Sequence, residues 1–304
     1  MKLRVIGSSS AYPTKDNPTS GYLLEGRDGT KVLLDIGSGV LMKLKGFMEL
    51  DEIDNIFITH MHYDHSADAG VAIYDRLVMK DLGRTKEDLH FHTPLSEKAG
   101  ELESPASTVD YIDEDTHIAI GSMEFSFLKT SHSENCHAIK VVEGDGSLVY
   151  TGDTKYFDEL AEFSQGVNLL LAECSMERKY EAGKYGHMGT DEVAELGSNA
   201  RPDILALVHT PSYTPEETIL SEVEENYEAS FRSLKTLEIN SQEMINKLKY
   251  PNLAGYDADP ITAYVTTLRI KNGLKVNSYI TEDFEPAQEQ NVDGYVIYVE
   301  KANL

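Results

Sequence analysis

Five short apolar runs in this chain end in a carboxylate or a histidine: KVLLD at Asp35, NIFITH at His60, LVYTGD at Asp153, NLLLAE at Glu173 and ILALVH at His209. Runs this short, rich in Leu, Ile and Val and bounded by turn residues, read as buried strands. In open α/β architectures, ligands gather at the edge formed by strand ends and their loops. Five such termini therefore point to one shared site on an α/β fold.

Helical signals lie between the runs. Thr214–Phe231 opens with Pro215 in its first turn and Glu217 three residues after Thr214, the spacing of a capping box, and Ile219, Val223, Tyr227 and Phe231 share one face. A second helix is expected after Thr190, with Asp191 and Glu192 in its first turn and Val193 and Leu196 facing inward. The alternation Met123, Phe125, Phe127 reads as a half-buried strand. Beyond about residue 240 the chain turns loop-rich before two strand-like stretches, Ala263–Ile270 and Gly294–Glu300. This divides it into a main domain, 1–240, and a small C-terminal appendage, 241–304, which holds no cluster of metal ligands.

At 304 residues, 40% hydrophobic and 26% charged, the chain is long enough to bury a substantial core. Its net charge of −25, with no run of clustered Lys and Arg, disfavours a protein that grips long nucleic acid by counterion release. A small-molecule substrate fits better. No apolar run approaches the length of a membrane span, and the start MKLRVIGSSS lacks a signal-peptide core. The expected location is the cytoplasm, with Cys136 and Cys174 reduced.

The densest chemistry is Thr59-His60-Met61-His62-Tyr63-Asp64-His65, which places four potential ligands within six residues directly after a strand. Imidazole and carboxylate together are the ligand set expected for zinc. This segment resembles the H-x-H-x-D-H signature of the metallo-β-lactamase superfamily, whose fold is an αββα sandwich. The resemblance extends over roughly residues 1–235 and takes in Asp35, His132 in KTSHSENC, Asp153 in TGDT and His209 in VHTPSY. It implies a first metal on His60, His62 and His132, and a second on Asp64, His65 and His209, with Asp153 bridging. The implied cofactors are two zinc ions, with manganese or iron also suited to the second position.

Within the superfamily the chain is most similar to the ribonuclease Z-like, phosphodiesterase branch. Gly186-His187-Met188 resembles that branch's additional histidine, and Ala172-Glu173-Cys174-Ser175 its acidic motif, although the branch carries His where this chain has Ala172. No Gly- and Pro-rich insertion resembles the arm with which ribonuclease Z grips transfer RNA.

The implied activity is metal-dependent hydrolysis of a small phosphodiester by a hydroxide bridging two metals about 3.5–4 Å apart. Asp64 joins the catalytic set, His187 donates a proton to the leaving oxygen or binds phosphate, and Glu173 orients His187. Hydrolysis of a thioester, lactone or other ester on the same centre is the alternative. A diiron oxidoreductase is disfavoured because His62 stands where such relatives carry an acidic residue, and a non-catalytic relative because all seven ligand positions are filled. The resemblance also allows a homodimer, with the appendage as a dimerisation or gating element.

Other histidines carry less. His90 and His92 share a strand face without an evident third ligand and read as polar-face residues, as does His117. His137 suits a supporting role behind the metal ligands or core packing. Asp35 is expected to hydrogen-bond a ligand or the metal loop, and Cys174 to be a buried thiol. Substrate choice falls to the loops Ser8–Ser20, Tyr74–Lys86 and Tyr180–Gly186, which carry no recognisable motif.

Overall fold

The computed structural model describes residues 1–227 throughout, and beyond them only the backbone of strands at 232–233, 265–270, 274–279, 291–292 and 295–299. The first sheet runs in chain order through β1 (Lys2–Gly7), β2 (Gly21–Glu25), β3 (Lys31–Leu34), β4 (Asn55–Phe57), β5 (Leu89–Pro94) and β6 (Ser107–Ile112). Its first three strands are antiparallel, and the pairs from β3 to β6 are parallel.

The second sheet follows the same plan. It comprises β7 (His117–Ile120), β8 (Met123–Lys129), β9 (His137–Glu143), β10 (Gly146–Tyr150), β11 (Leu169–Glu173) and β12 (Ile204–Val208), antiparallel up to β10 and parallel after it. The strands Tyr295–Val299, Val265–Ile270 and Leu274–Tyr279 continue this sheet beyond β12. The proposed division near residue 240 lies outside the described residues.

Strand alternation builds the layers, since successive side chains point to opposite faces. Tyr22, Leu24 and Phe57 of the first sheet meet Phe125, Phe127, Leu169 and Leu171 of the second in an inner core. Leu170, Ala172, Leu205 and Leu207, on the opposite face of the second sheet, pack against α4 (Asp158–Phe163), α5 (Thr190–Ala200) and α6 (Glu216–Asn226). Leu23, Leu33, Ile56 and Phe91 face α1 (Val40–Leu44) and α3 (Ala69–Asp81), the latter preceded by the single turn α2 (Tyr63–Ser66). The result is the αββα sandwich. Each fully buried Leu, Ile or Val in these layers contributes about 1.5–3 kcal/mol.

α5 begins at Thr190, and Glu192 accepts from the Gly189 N–H at 2.6 Å. α6 is shorter than its sequence suggests. It begins at Glu216 and ends at Asn226, and the Thr214 hydroxyl donates to Glu177 at 2.8 Å rather than capping the helix. Ile219, Val223 and Tyr227 share the buried face as expected, while Phe231 lies outside the described residues.

The helix layer also fixes the loop that follows β4. Arg76 of α3 is fully buried, its guanidinium donating to Asp54, Glu87 O, Leu50 O and Ile53 O around the lead-in to that strand. Asp68, at the start of α3, accepts from the Leu41 N–H at 2.9 Å. The segment from His60 to His65 is thus held between a strand and two anchored helices.

Candidate metal centre

The strands deliver their terminal residues to one edge of the sandwich. Asp35 and His209 stand immediately after β3 and β12, with left-handed φ angles of 57° and 50°. Side chains other than glycine rarely adopt this backbone, at a cost of about 1–3 kcal/mol each, and such strain concentrates at functional sites. His60 follows β4 by three residues, Asp153 follows β10 by three, and Glu173 closes β11.

All seven expected ligands converge. One group comprises His60, His62, His132 and Asp153; a second comprises Asp64, His65, Asp153 and His209; within each, the ligand atoms lie within 4.8 Å of one another. Asp153 belongs to both through different oxygens. Its Oδ2 is 3.5 Å from His60 Nε2 and 3.9 Å from His132 Nε2, and its Oδ1 is 3.2 Å from His65 Nε2 and 3.6 Å from His209 Nε2. His62 turns Nδ1 inward, 2.9 Å from His60 Nε2 and 3.2 Å from His132 Nε2. Asp64 Oδ2 lies 3.1 Å from His209 Nε2.

Hydrogen bonds behind the histidines set which nitrogen faces the cluster. His65 Nδ1 donates to Asp35 Oδ2 at 2.7 Å, leaving Nε2 free. Asp35 is held in turn by the Thr59 N–H at 2.8 Å and the Tyr150 hydroxyl at 2.7 Å. Thr59 Oγ1 donates to Asp35 and accepts from His60 Nδ1 at 3.2 Å. His132 Nδ1 donates to Gly186 O at 2.9 Å, and His209 Nδ1 to Ser175 Oγ at 2.8 Å. Gly186, with φ of 85°, is required there, since a Cβ would sit 3.0 Å from His132 Nδ1.

Two atoms at the heart of this arrangement, His65 Nε2 and Asp153 Oδ1, are buried without a hydrogen-bond partner. Burying unpaired polar atoms is costly unless a cation satisfies them. A donor set of five imidazoles and two carboxylates, aimed inward and with the outer nitrogens of His60, His65, His132 and His209 hydrogen-bonded, fits two divalent metals.

The electrostatics agree with a negative focus at Asp153. Its carboxyl is held well below the usual carboxylate range: burial opposes this, and His209 and His65 outweigh burial. Burial would lower His65, yet Asp153 and Asp35 raise it well above 6.5. His60 is held far below 6.5, first by burial and then by the charge of His65.

A third group, Asp153, Glu173, His187 and His209, adjoins the first two. His187 Nδ1 is 3.1 Å from both oxygens of Glu173. Burial would depress His187, but Glu173 pushes it up to about 9. Glu173 also accepts from the Thr154 N–H and the Ser175 hydroxyl, each at 2.5 Å.

Residues 1–231 match the family model of the anti-Pycsar protein Apyc1. The chain belongs to that family. It is 31% identical to the Bacillus subtilis protein named "Probable metallo-hydrolase YhfI" over 73% of this chain and 92% of that protein. A crystal structure of YhfI, described as a metallo-β-lactamase fold protein, matches with a TM-score of 0.72 at 28% identity, over 74% of this chain and 93% of that one. The short form of human tRNase Z shares the fold, with a TM-score of 0.58 at 19% identity over 70% of this chain and 93% of that one. The protein is thus a member of the metallo-β-lactamase superfamily on its ribonuclease Z-like branch.

Some family-based and sequence-based expectations need adjustment. Ala172, the departure from the branch pattern, packs into the helix-side core and not toward the cluster. His92 is not a solvated polar-face residue: it is buried, stacked on Phe57 at 4.4 Å, with Nε2 bonded to Asn55 at 2.9 Å. His137 is a core residue on β9, and Cys174 is a buried free thiol. His117 is exposed, as expected. Sequence reasoning missed Tyr150, Thr59 and the Gly186 carbonyl as supports, and it quoted Ser175 without a role. A strand-end hydroxyl beside two acidic or histidine termini is the one signal that could have found Ser175.

Proposed function

We propose that the protein is a metal-dependent hydrolase of small phosphodiesters, a cyclic nucleotide among the candidates, working with two zinc ions. His60, His62, His132 and Asp153 would hold one ion, and Asp64, His65, His209 and Asp153 the other. When bound, two divalent metals supply Lewis acidity at a phosphoryl oxygen and lower the pKa of water, so that no protein nucleophile is needed.

The observation that carries the phosphodiester reading is His187, beside Asp153 and His209 and paired with Glu173. Its ring is partly solvent-accessible, while Glu173 is fully buried. Glu173 orients the imidazole through Nδ1 and favours its charged form, leaving Nε2 to give a proton to a departing alkoxide or to bind a phosphoryl oxygen. A poor leaving group of this kind needs such a donor more than a thioester does. Asp64, with a carboxyl held below the usual range despite burial by His209 and His65, stays an anionic ligand across neutral pH. The net charge of −25 supports a small substrate over a long polyanion.

The test is turnover of bis(p-nitrophenyl) phosphate beside a thioester, a lactone and a chromogenic β-lactam, with metal content measured. Diester cleavage should vanish with chelator and in Asp64→Ala. His187→Ala should keep its metals and lose on the order of 10²–10⁴-fold in kcat on a 3′,5′-cyclic nucleotide, whose leaving group is an alkoxide, and much less on bis(p-nitrophenyl) phosphate, whose phenolate departs without a proton. A protein with two metals bound and no diester cleavage, or a His187→Ala variant fully active on the cyclic nucleotide, overturns the reading.

A further inference from the structure

His90 and His92 stand on one face of β5, and the structure supplies the third ligand that the sequence left open. β6, the edge strand of the first sheet, pairs in parallel with β5, with His90 opposite Thr108 and His92 opposite Asp110. Asp110 Oδ2 lies 3.7 Å from His92 Nδ1 and 3.9 Å from His90 Nδ1. None of these residues belongs to the dinuclear cluster.

Two histidines on a sheet face are ordinary by themselves, and the state of His92 sets this pair apart. Its side chain is 7% exposed, and its ring is stacked on Phe57 at an interplanar angle of 24°. Nε2 donates to Asn55 Oδ1 at 2.9 Å, an oxygen that can only accept, so Nε2 carries the ring proton and Nδ1 the lone pair. Burial, opposed by Asp110, pulls the imidazole down to about 4, so the ring is neutral at neutral pH. Nδ1 is buried without a hydrogen-bond partner, and the group facing it is an anion. A buried lone pair aimed at a carboxylate is unsatisfied unless a cation stands between the two. A bond from the far ring nitrogen to an oxygen acceptor is also the support that fixes the tautomer of metal-bound histidines.

We propose that His90, His92 and Asp110 hold a divalent transition metal, zinc being the natural probe, which clamps the edge strand β6 to β5. Two imidazoles and one carboxylate form a zinc ligand set, with the fourth position left to water. Donor atoms on one tetrahedral zinc, bound at about 2.0–2.2 Å, lie about 3.4 Å apart, so Asp110 closes on the ion by a few tenths of an ångström. His90 and Asp110, exposed by 40% and 56%, have the freedom to adjust around the fixed ring of His92, and they give the ion its way in from solvent.

The test counts and locates bound zinc. After equilibrium dialysis to saturation, with zinc measured by atomic emission, the unaltered protein should hold one equivalent more than Asp110→Asn or His90→Ala, and both variants should keep the zinc of the dinuclear cluster. Both substitutions fall on solvent-accessible side chains, so the fold should survive them. Hydrogen exchange should place the ion: zinc should slow the amides of Ser107–Ile112 in the unaltered protein, and Asp110→Asn should lose this slowing while keeping that of residues 60–65. Equal zinc content in the unaltered protein and both variants, or slowing of β6 that survives Asp110→Asn, overturns the site. Neither measurement involves a substrate, so the outcome stands apart from that of the phosphodiester reading.

Discussion

Ser175 couples two parts of the site: its hydroxyl donates to Glu173 Oε2 at 2.5 Å and accepts from His209 Nδ1 at 2.8 Å. One rotor therefore fixes the tautomer of a proposed metal ligand and the carboxylate that orients His187. Losing such a support costs on the order of 10–100-fold in metal affinity. Ser175→Ala should weaken zinc binding by that factor in a competition with a chromophoric chelator; unchanged affinity would mean that His209 is held by its backbone alone. Such supports explain which part of the site was legible. Histidines and carboxylates at strand ends are marked by residue type and position, so His60, Asp153, Glu173 and His209 could be read directly. The partners behind them are a serine, a threonine, a tyrosine and a glycine carbonyl, which carry no periodicity and meet their targets only in three dimensions.

At the scale of elements, the fold was legible wherever a pattern served a single purpose. β11 and β12 are apolar on both faces because both faces are covered, and their runs end where the site begins. The reading failed where a tertiary contact claimed the residue: Thr214 serves Glu177 in place of α6, and His92 of β5 reaches Asn55 of β4 beneath the stacked Phe57. This pairing of β4 with β5 carries a pH dependence. Burial pulls His92 down to about 4 against the pull of Asp110, whereas the unfolded chain takes up that proton near the usual 6.5. The stabilising contribution is therefore complete above pH 6.5 and is lost as the pH falls toward 4, by on the order of 3 kcal/mol. His92→Gln keeps a donor for Asn55 and removes the titration. In chelator-treated protein its melting temperature should fall less steeply over that interval; a slope equal to that of the unaltered chain would place the acid sensitivity elsewhere.

At the scale of the whole molecule, the proposed ligands come from both halves of the sandwich. His60, His62, Asp64 and His65 follow β4 of the first sheet, and His132, Asp153 and His209 belong to loops of the second. An ion held by both ties the two sheets together at their common edge, and the ligand set has this geometry only when the chain is folded. Binding that is confined to the folded state stabilises it by about 4 kcal/mol for a site at a thousandfold excess over its dissociation constant. For a chain of this size that raises the melting temperature by on the order of 10 °C. The net charge of −25 adds self-repulsion that any cation would partly screen, so the comparison must separate binding from ionic strength. Calorimetric melting of chelator-treated protein should rise by roughly that amount when micromolar zinc is restored and should not respond to sodium chloride of equal ionic strength, while Asp153→Asn, which weakens the carboxylate common to both groups, should lose most of the rise. An increase reproduced by sodium chloride, or preserved in Asp153→Asn, would show that the cluster is not where the metal acts.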